Sequence, residues 1–467
     1  ELKPLLDKVE AASQHGHFAI GYICYEAASG LDTSLNHRPK HSYPLAIFAE
    51  FEETRPIDLP VDLKAVKLRE TIDKNCFNQS IGKIREHLKN GDTYQVNFTH
   101  QLIGDCSEVP LNVFAKLIQA QPTPYGIFFE TEHFAICSAS PELFFSLKNK
   151  EIEMKPMKGT RKRGRYLAED LQYKAELGSS EKDRAENLMI LDMVRNDLGR
   201  ICQPGSIKTS KLFEIQQLPT VWQQTSTVTG KTEATLAEIF SATFPCASIT
   251  GAPKIKAMEI ISELEIIPRG VYTGTLGYLK PNREASFNVA IRTMFIDKKA
   301  RKASYGVGGG IVWDSKAESE WEESLLKAQL LDFPTASFEL FETMRYDPHH
   351  GVYLLEEHIS RLNASCDYFG WPFEETRARN LLEDIKSDDA LRIKLLMTHN
   401  GEFIIEKSSL PVFESLVRLK FASRPIDSSN IFLFHKTTHR RVYEEAKKDL
   451  IKCDDVILFN EKGELTE

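Results

Sequence analysis

The chain has 467 residues, 42% of them hydrophobic and 27% charged, which is too long for one ordinary core and leaves ample apolar material for two. Fifty-nine Lys and Arg stand against 67 Asp and Glu, giving a net charge of -8; that balance attracts neither nucleic acid nor an anionic membrane, so small ligands are expected. No apolar run approaches the roughly 20 residues of a membrane span, Glu1-Leu2-Lys3-Pro4 shows no signal-peptide pattern, and the eight cysteines include no Cys-x-x-Cys pair, which predicts a cytoplasmic location and reduced thiols.

Glu1 is not a start methionine and the C-terminus follows a turn signal, so further segments are expected beyond both ends. From Phe18 to about Asp332, strand-like runs such as 18–23 and 127–129 alternate with amphipathic helices without a repeat or low-complexity linker, as in one large α+β unit. Prolines and charges at 56–61 predict a surface crossing.

Alternation in Glu151-Ile152-Glu153-Met154 predicts a strand whose ladder ends at Pro156, leaving Lys158 in a loop that departs from a sheet. A lysine shielded from water and placed near cations loses its proton readily and becomes a nucleophile. The plain alternative is a solvated surface lysine.

Ser180 and Asp183 have capping-box spacing at the start of a helical pattern, and Asp183 and Glu186, three residues apart, share one face of its first turn. A second such pattern follows Asp314, with Ser315 and Glu318 as the box and Glu320 and Glu323 on one face. Converging carboxylates with room for water and substrate suit Mg²⁺; alternatively they complement helix dipoles, with Glu323 paired to Lys327. Segments 248–254 and 306–312 carry glycines but neither a Walker loop nor a dinucleotide fingerprint. They permit close backbone approach to a carboxylate, with Arg292 available for a bidentate contact, or form only a kinked strand. A helical pattern ends at Pro334 and a new strand is predicted over 338–344, so domains are expected at 1–332 and 333–467.

Taken in order, these motifs and three more (Gly91 to Asn97, Ser140 to Phe144, Arg269 to Gly274) resemble the chorismate-utilising family over roughly residues 15–330. The resemblance implies layered antiparallel sheets with flanking helices. It implies that Glu186 and Glu323, supported by Asp183 and Glu320, hold Mg²⁺ against the ring carboxylate of chorismate. Gln95, Thr250, Tyr272, Arg292 and the backbone of Gly308, Gly309 and Gly310 would bind the substrate, and Glu142 would be the acid that protonates the departing 4-hydroxyl. Hydrating relatives have a lysine base at the position of Gln95, which counts against them here. Anthranilate synthases carry alanine at the position of Lys158, whereas lysine resembles the aminodeoxychorismate synthases. The implied reaction is attack of Lys158 on C2, loss of the C4 hydroxyl, and displacement of the lysine by ammonia at C4, giving 4-amino-4-deoxychorismate for 4-aminobenzoate and folate. Many relatives have histidine at Gln223. A nucleophile elbow is missing from the sequence, so a separate glutamine amidotransferase subunit is expected to supply ammonia. The alternatives are an anthranilate synthase large component and a non-catalytic homologue that binds a ligand or a partner.

The tail resembles the start of a fold-type IV, pyridoxal-phosphate-dependent aminotransferase or lyase, on Phe338 to Arg345, Leu355 to Leu362 and Phe434 to Arg440. That resemblance implies Lys436 as the cofactor lysine, Arg361 at the cofactor phosphate and Glu467 at the pyridine nitrogen. An aminodeoxychorismate lyase of this kind would consume the first domain's product; alternatively Lys436 belongs to a basic run.

Overall fold

In the computed structural model the described residues are 2–35, 43–60, 66–331, 338–411, 417–448 and 453–466. The chain forms two compact units, 1–162 with 176–335 and 163–175 with 336–467. The expected cut near 332 falls on residues outside those described, and so does part of the crossing expected at 56–61. Both units mix helices with antiparallel sheet, the α+β class that the sequence predicts.

The elements that carry the site in the first unit are, in chain order, β1 (Gln95–Asp105), β2 (Met157–Lys162), α1 (Glu181–Gly199), β3 (Val221–Lys231), β4 (Lys302–Ile311) and α2 (Ala317–Leu326). One sheet runs, among the described residues, Lys208–Gln217, β3, Glu151–Lys155, Leu143–Lys148, Ala285–Val289, Thr275–Leu279, Phe18–Ile23, Ala46–Phe51, with β2 also on β3. The other runs Gly251–Ala252, β1, β4, Thr293–Asp297, Phe134–Ser138, Ile127–Glu130. The β-branched, aromatic and amide residues of β3 are buried on both faces, which suits a strand covered from two sides.

Lys158 does not sit in a loop. Pro156 costs the ladder one N–H, but its carbonyl accepts from Ser226 N, and the chain pairs on at Met157 opposite Thr225 in the register of the strand before it; a bulge follows before Thr160 meets Gln223, so Lys158 lies at that bulge on a short strand, β2. α1 begins as expected, with Ser180 accepting from Asp183 N at 3.3 Å, and buries Ile190, Leu191, Val194 and Leu198 in the main core, each worth about 1.5–3 kcal/mol. α2 departs from expectation. Its N-cap is Lys316, without a side-chain cap, because the Ser315 hydroxyl is used by Val312 N at 3.1 Å and by Glu320, while Glu318 pairs with Lys74.

The glycines of β4 form a regular strand, in register with β1 from Lys302 opposite Asp105 to Ile311 opposite Val96. Strand Thr293–Asp297 covers the other edge of β4 only to Tyr305, so beyond Gly306 that edge is left to other partners.

In the second unit, β5 (Leu340–Asp347), α3 (Leu355–Phe369) and β6 (Leu391–Met397) surround a core that includes Leu340, Met344, Ile359, Leu362, Ile393 and Leu395. The preceding segment belongs here too: Arg163 donates to buried Asp170 at 2.7 Å, and Tyr368 donates to Gly164 O at 2.7 Å.

Candidate active site

Lys158 projects from β2 into a cleft whose walls come from β2, α1, β4, α2 and the loops carrying Glu142, Ser248, Tyr272 and Arg292. The residue is only 8% exposed. Its backbone is pinned by Asn187, which donates to Lys158 O at 3.4 Å and accepts from Ser226 at 2.6 Å. Gln223 donates to Gly159 O at 2.8 Å and accepts from Thr160 at 3.1 Å, so its side chain holds β2.

Burial is the main cause that lowers the pKa of Lys158; Glu186, Glu142 and Glu323 oppose it and Lys327 assists it. Glu142, 2% exposed, is pushed up to about 7 by burial, against the hydrogen bonds from Ser248 (2.6 Å) and Met157 N (3.3 Å) and the charge of Lys158. An amine lowered in pKa beside a carboxyl raised in pKa has the electrostatics that a nucleophile and acid pair requires.

The far wall is acidic. Burial carries Glu186 up to about 7 despite Lys158 and Lys182, with Asp183 and Glu320 adding to the rise. Glu320 is raised by burial and by Glu323. Burial also raises Glu323, but Lys327, at 2.9 Å, and more distant Lys158 and Lys182 outweigh it, and its carboxyl is lowered. Asp183 is already engaged by Arg161 at 2.8 Å. The donors are hard oxygens facing one cleft, and the unneutralised pressure on Glu186 suits a divalent cation of the Mg²⁺ type. Among the described residues, however, no three His, Cys, Asp or Glu side chains are gathered closely enough to hold an ion.

Two glycines make the cleft possible. A Cβ at Gly310 would lie 2.9 Å from Lys158 Nζ and 3.0 Å from Gln95 Nε2, and one at Gly306 would lie 2.2 Å from the Tyr272 ring. Gln95 is fully buried at this niche, with neither amide atom hydrogen-bonded among the described residues. Gly308, Gly309, Gly310, Tyr272 and Arg292 line the cleft. Arg292 does so from a left-handed backbone (φ 51°) and donates to Lys327 O. Thr250 is not among the lining residues; its hydroxyl donates to Cys246 O at 3.0 Å, while neighbouring Ser248 and Ile249 reach the cleft.

Residues that the sequence reading missed as site groups are Asn97, Lys182, Ser248 and Lys327, all lining the cleft. Lys327 had a signal, its i, i+4 spacing from Glu323, but it also donates to Gly308 O at 2.7 Å across the uncovered edge of β4, which spacing could not reveal.

In the second unit, Arg361 donates to buried Glu342 at 2.8 Å, and His358 shares the same carboxylate at 2.7 Å. Lys436 lies with its Nζ 5.6 Å from the ring of Phe341, the preceding strand residue, whose side chain points to the opposite face of β5. Glu467 lies outside the described residues. Arg361 is therefore engaged by Glu342, and Lys436 lies beside Phe341.

Residues 36–332 match the family model of the chorismate binding enzymes, and residues 339–467 match that of the class IV amino-transferases. The chain is 38% identical over 254 residues to the aminodeoxychorismate synthase component 1 of Bacillus subtilis, covering 54% of each chain. It is 36% identical over 264 residues to the anthranilate synthase component 1 of Saccharolobus solfataricus, covering 56% of this chain and 62% of that one. It thus spans about half to three fifths of the length of these curated relatives. Among solved structures it is similar to the anthranilate synthase component I of Streptococcus pneumoniae, with TM-score 0.62 and 28% identity, covering 70% of this chain and 85% of that one. The cleft, the antiparallel sheets that build it and the matched segment coincide, and the chain belongs to the chorismate binding enzyme family, with a class IV amino-transferase segment following.

Proposed function

We propose that this chain is the large component of an aminodeoxychorismate synthase, converting chorismate and ammonia to 4-amino-4-deoxychorismate. The observation that carries the reading is the lysine at 158, enclosed beside Glu142 in the acidic cleft and depressed in pKa by burial. The resemblance puts alanine at this position in anthranilate synthases.

Lys158 Nζ forms a bond to C2 of the ring as the C4–O bond breaks, and Glu142 gives its proton to the departing hydroxyl, releasing water. Ammonia then bonds to C4 as the C2–N bond breaks, and its surplus proton passes to Glu142, which is restored as acid. Tyr272, Arg292 and the Gly308 to Gly310 backbone grip carboxylates of the substrate. Glu186 and Glu323, supported by Asp183 and Glu320, would hold Mg²⁺ together with water and substrate oxygens, and when bound the ion would neutralise them and attract the ring carboxylate. Ammonia would come from a glutamine amidotransferase subunit.

Relatives named anthranilate synthase favour a second reading, the same cleft forming anthranilate. The two part on product. Incubation with chorismate, Mg²⁺ and ammonium, followed by mass and fluorescence of the product, is expected to show 4-amino-4-deoxychorismate. Anthranilate as the main product would overturn the leading reading, and unchanged chorismate would favour a non-catalytic homologue.

A further inference from the structure

Glu142 has two carboxyl oxygens, and they stand in different surroundings. Oε1 accepts from Ser248 Oγ at 2.6 Å and from Met157 N at 3.3 Å. Oε2 has no hydrogen-bond partner among the described residues, and Glu142 lines the cleft. A serine hydroxyl has one hydrogen to give. Cys246 Sγ lies 3.2 Å from the same Ser248 Oγ, and with the hydroxyl hydrogen directed at Glu142, the thiol is the donor in that contact. Burial pushes the Cys246 thiol up to about 12, so it remains a donor throughout the physiological range. The three side chains thus form a chain with one sense: thiol to hydroxyl to carboxyl oxygen.

We propose that Ser248 is a positioning residue for the acid: by occupying Oε1 it leaves the transferable proton on Oε2, aimed into the cleft at the leaving oxygen. The inference rests on the role proposed above for Glu142. If Oε1 carried the proton, that hydrogen would meet two donors, and the proton would point away from substrate into buried protein. Ser248 is held for this task by the 3₁₀ turn Ala247–Ile249, fully inside the fold. The titratable groups that bear on Glu142 are Lys158 from β2 and Cys246 from the segment before that turn.

The test compares wild type, S248A, S248T and E142Q in the full chain, with chorismate and Mg²⁺ at a fixed concentration of free ammonia across pH. E142Q is expected to lose about 10²–10⁴-fold in kcat. S248A is expected to lose about tenfold in kcat with little change in KM, and its alkaline limb should move to higher pH, because the lost hydrogen bond favoured the ionised carboxylate. S248T, which keeps the hydroxyl, should restore both. A wild-type kcat and alkaline limb in S248A, with E142Q inactive, overturns the assignment of Ser248 alone; an active E142Q overturns the acid role itself. Should S248A fail to fold by circular dichroism, S248C carries the same test with a weaker donor, and a wild-type limb there overturns the proposal.

Discussion

The two units each present a lysine that the sequence marks for chemistry, and they treat it in opposite ways. Lys158 is buried among charges that do not cancel: two nearby carboxyls are driven up to about 7 and the amine is driven down. Lys436 is half-buried beside the ring of Phe341, while the charges of its unit are matched in pairs, Arg361 and His358 on Glu342 and Arg163 on Asp170. Matched charges hold a fold, whereas buried charges left in conflict reserve their interaction energy for a ligand.

The contrast is broken most directly at the lysines. Lys158→Ala is expected to lower formation of 4-amino-4-deoxychorismate by at least about 10³-fold with the fold intact, and Lys436→Ala to leave it within about twofold. Full synthesis by the Lys158 variant, read by mass spectrometry, removes the nucleophile. Gly310→Ala sharpens the same point without touching a charge. Its methyl would sit 2.9 Å from Lys158 Nζ and displace it, and a loss of about 10–100-fold in kcat is expected at nearly unchanged melting temperature. A wild-type kcat there shows that the amine's placement is not demanding.

Mg²⁺ separates the units by ligand rather than by mutation. At hundredfold excess over its Kd the ion should stabilise the native first unit by about 2.7 kcal/mol. Glu186 holds its proton up to about pH 7, so the shift in melting temperature should be larger at pH 8 than at pH 6 and should vanish in Glu323→Gln. An equal shift at both pH values, or one surviving that change, would point to ions bound elsewhere.

How much is legible in the sequence follows from the range of the interactions. Strand Phe18–Ile23 and the start of α1 at Ser180 are set by neighbours within four residues, and both are readable. Lys158 reads as a loop residue because the pairing of Met157 with Thr225, which restores the ladder just after Pro156, joins residues far apart in sequence. The capping box at Ser315 fails for a similar reason: the hydroxyl finds Val312 N and Glu320 instead. Glu142, Glu186, Glu320, Glu323, Tyr272 and Arg292 are spread over nearly 200 positions, and their type and order resemble the family set, but their conflict of charge exists only once the sheets bring them together. The contacts of Ser248 with Glu142 and of Lys327 with Gly308 O join segments apart in sequence, for which local sequence carries no pattern.

The smallest effect discriminates best between a charge placed for function and one placed for the fold. Glu186 has a folded-state pKa above its unfolded value, so its contribution to stability is undiminished below about pH 4.5 and turns into a growing penalty as pH rises toward about 7. In the absence of metal, Glu186→Gln should therefore stabilise the protein at pH 8, by about 1–2 kcal/mol in urea unfolding, and much less at pH 5. Glu342 is fully buried, but Arg361 and His358 fill its acceptor sites, so Glu342→Gln should destabilise by about 1–3 kcal/mol at pH 8. Opposite signs for one chemical change at a half-buried and a buried carboxylate are what reserved and matched charges require. The same sign at both positions would mean that Glu186 is as well partnered by Lys158 and Lys182 as Glu342 is by its own pair, leaving the cleft without the unsatisfied charge that a cation would answer.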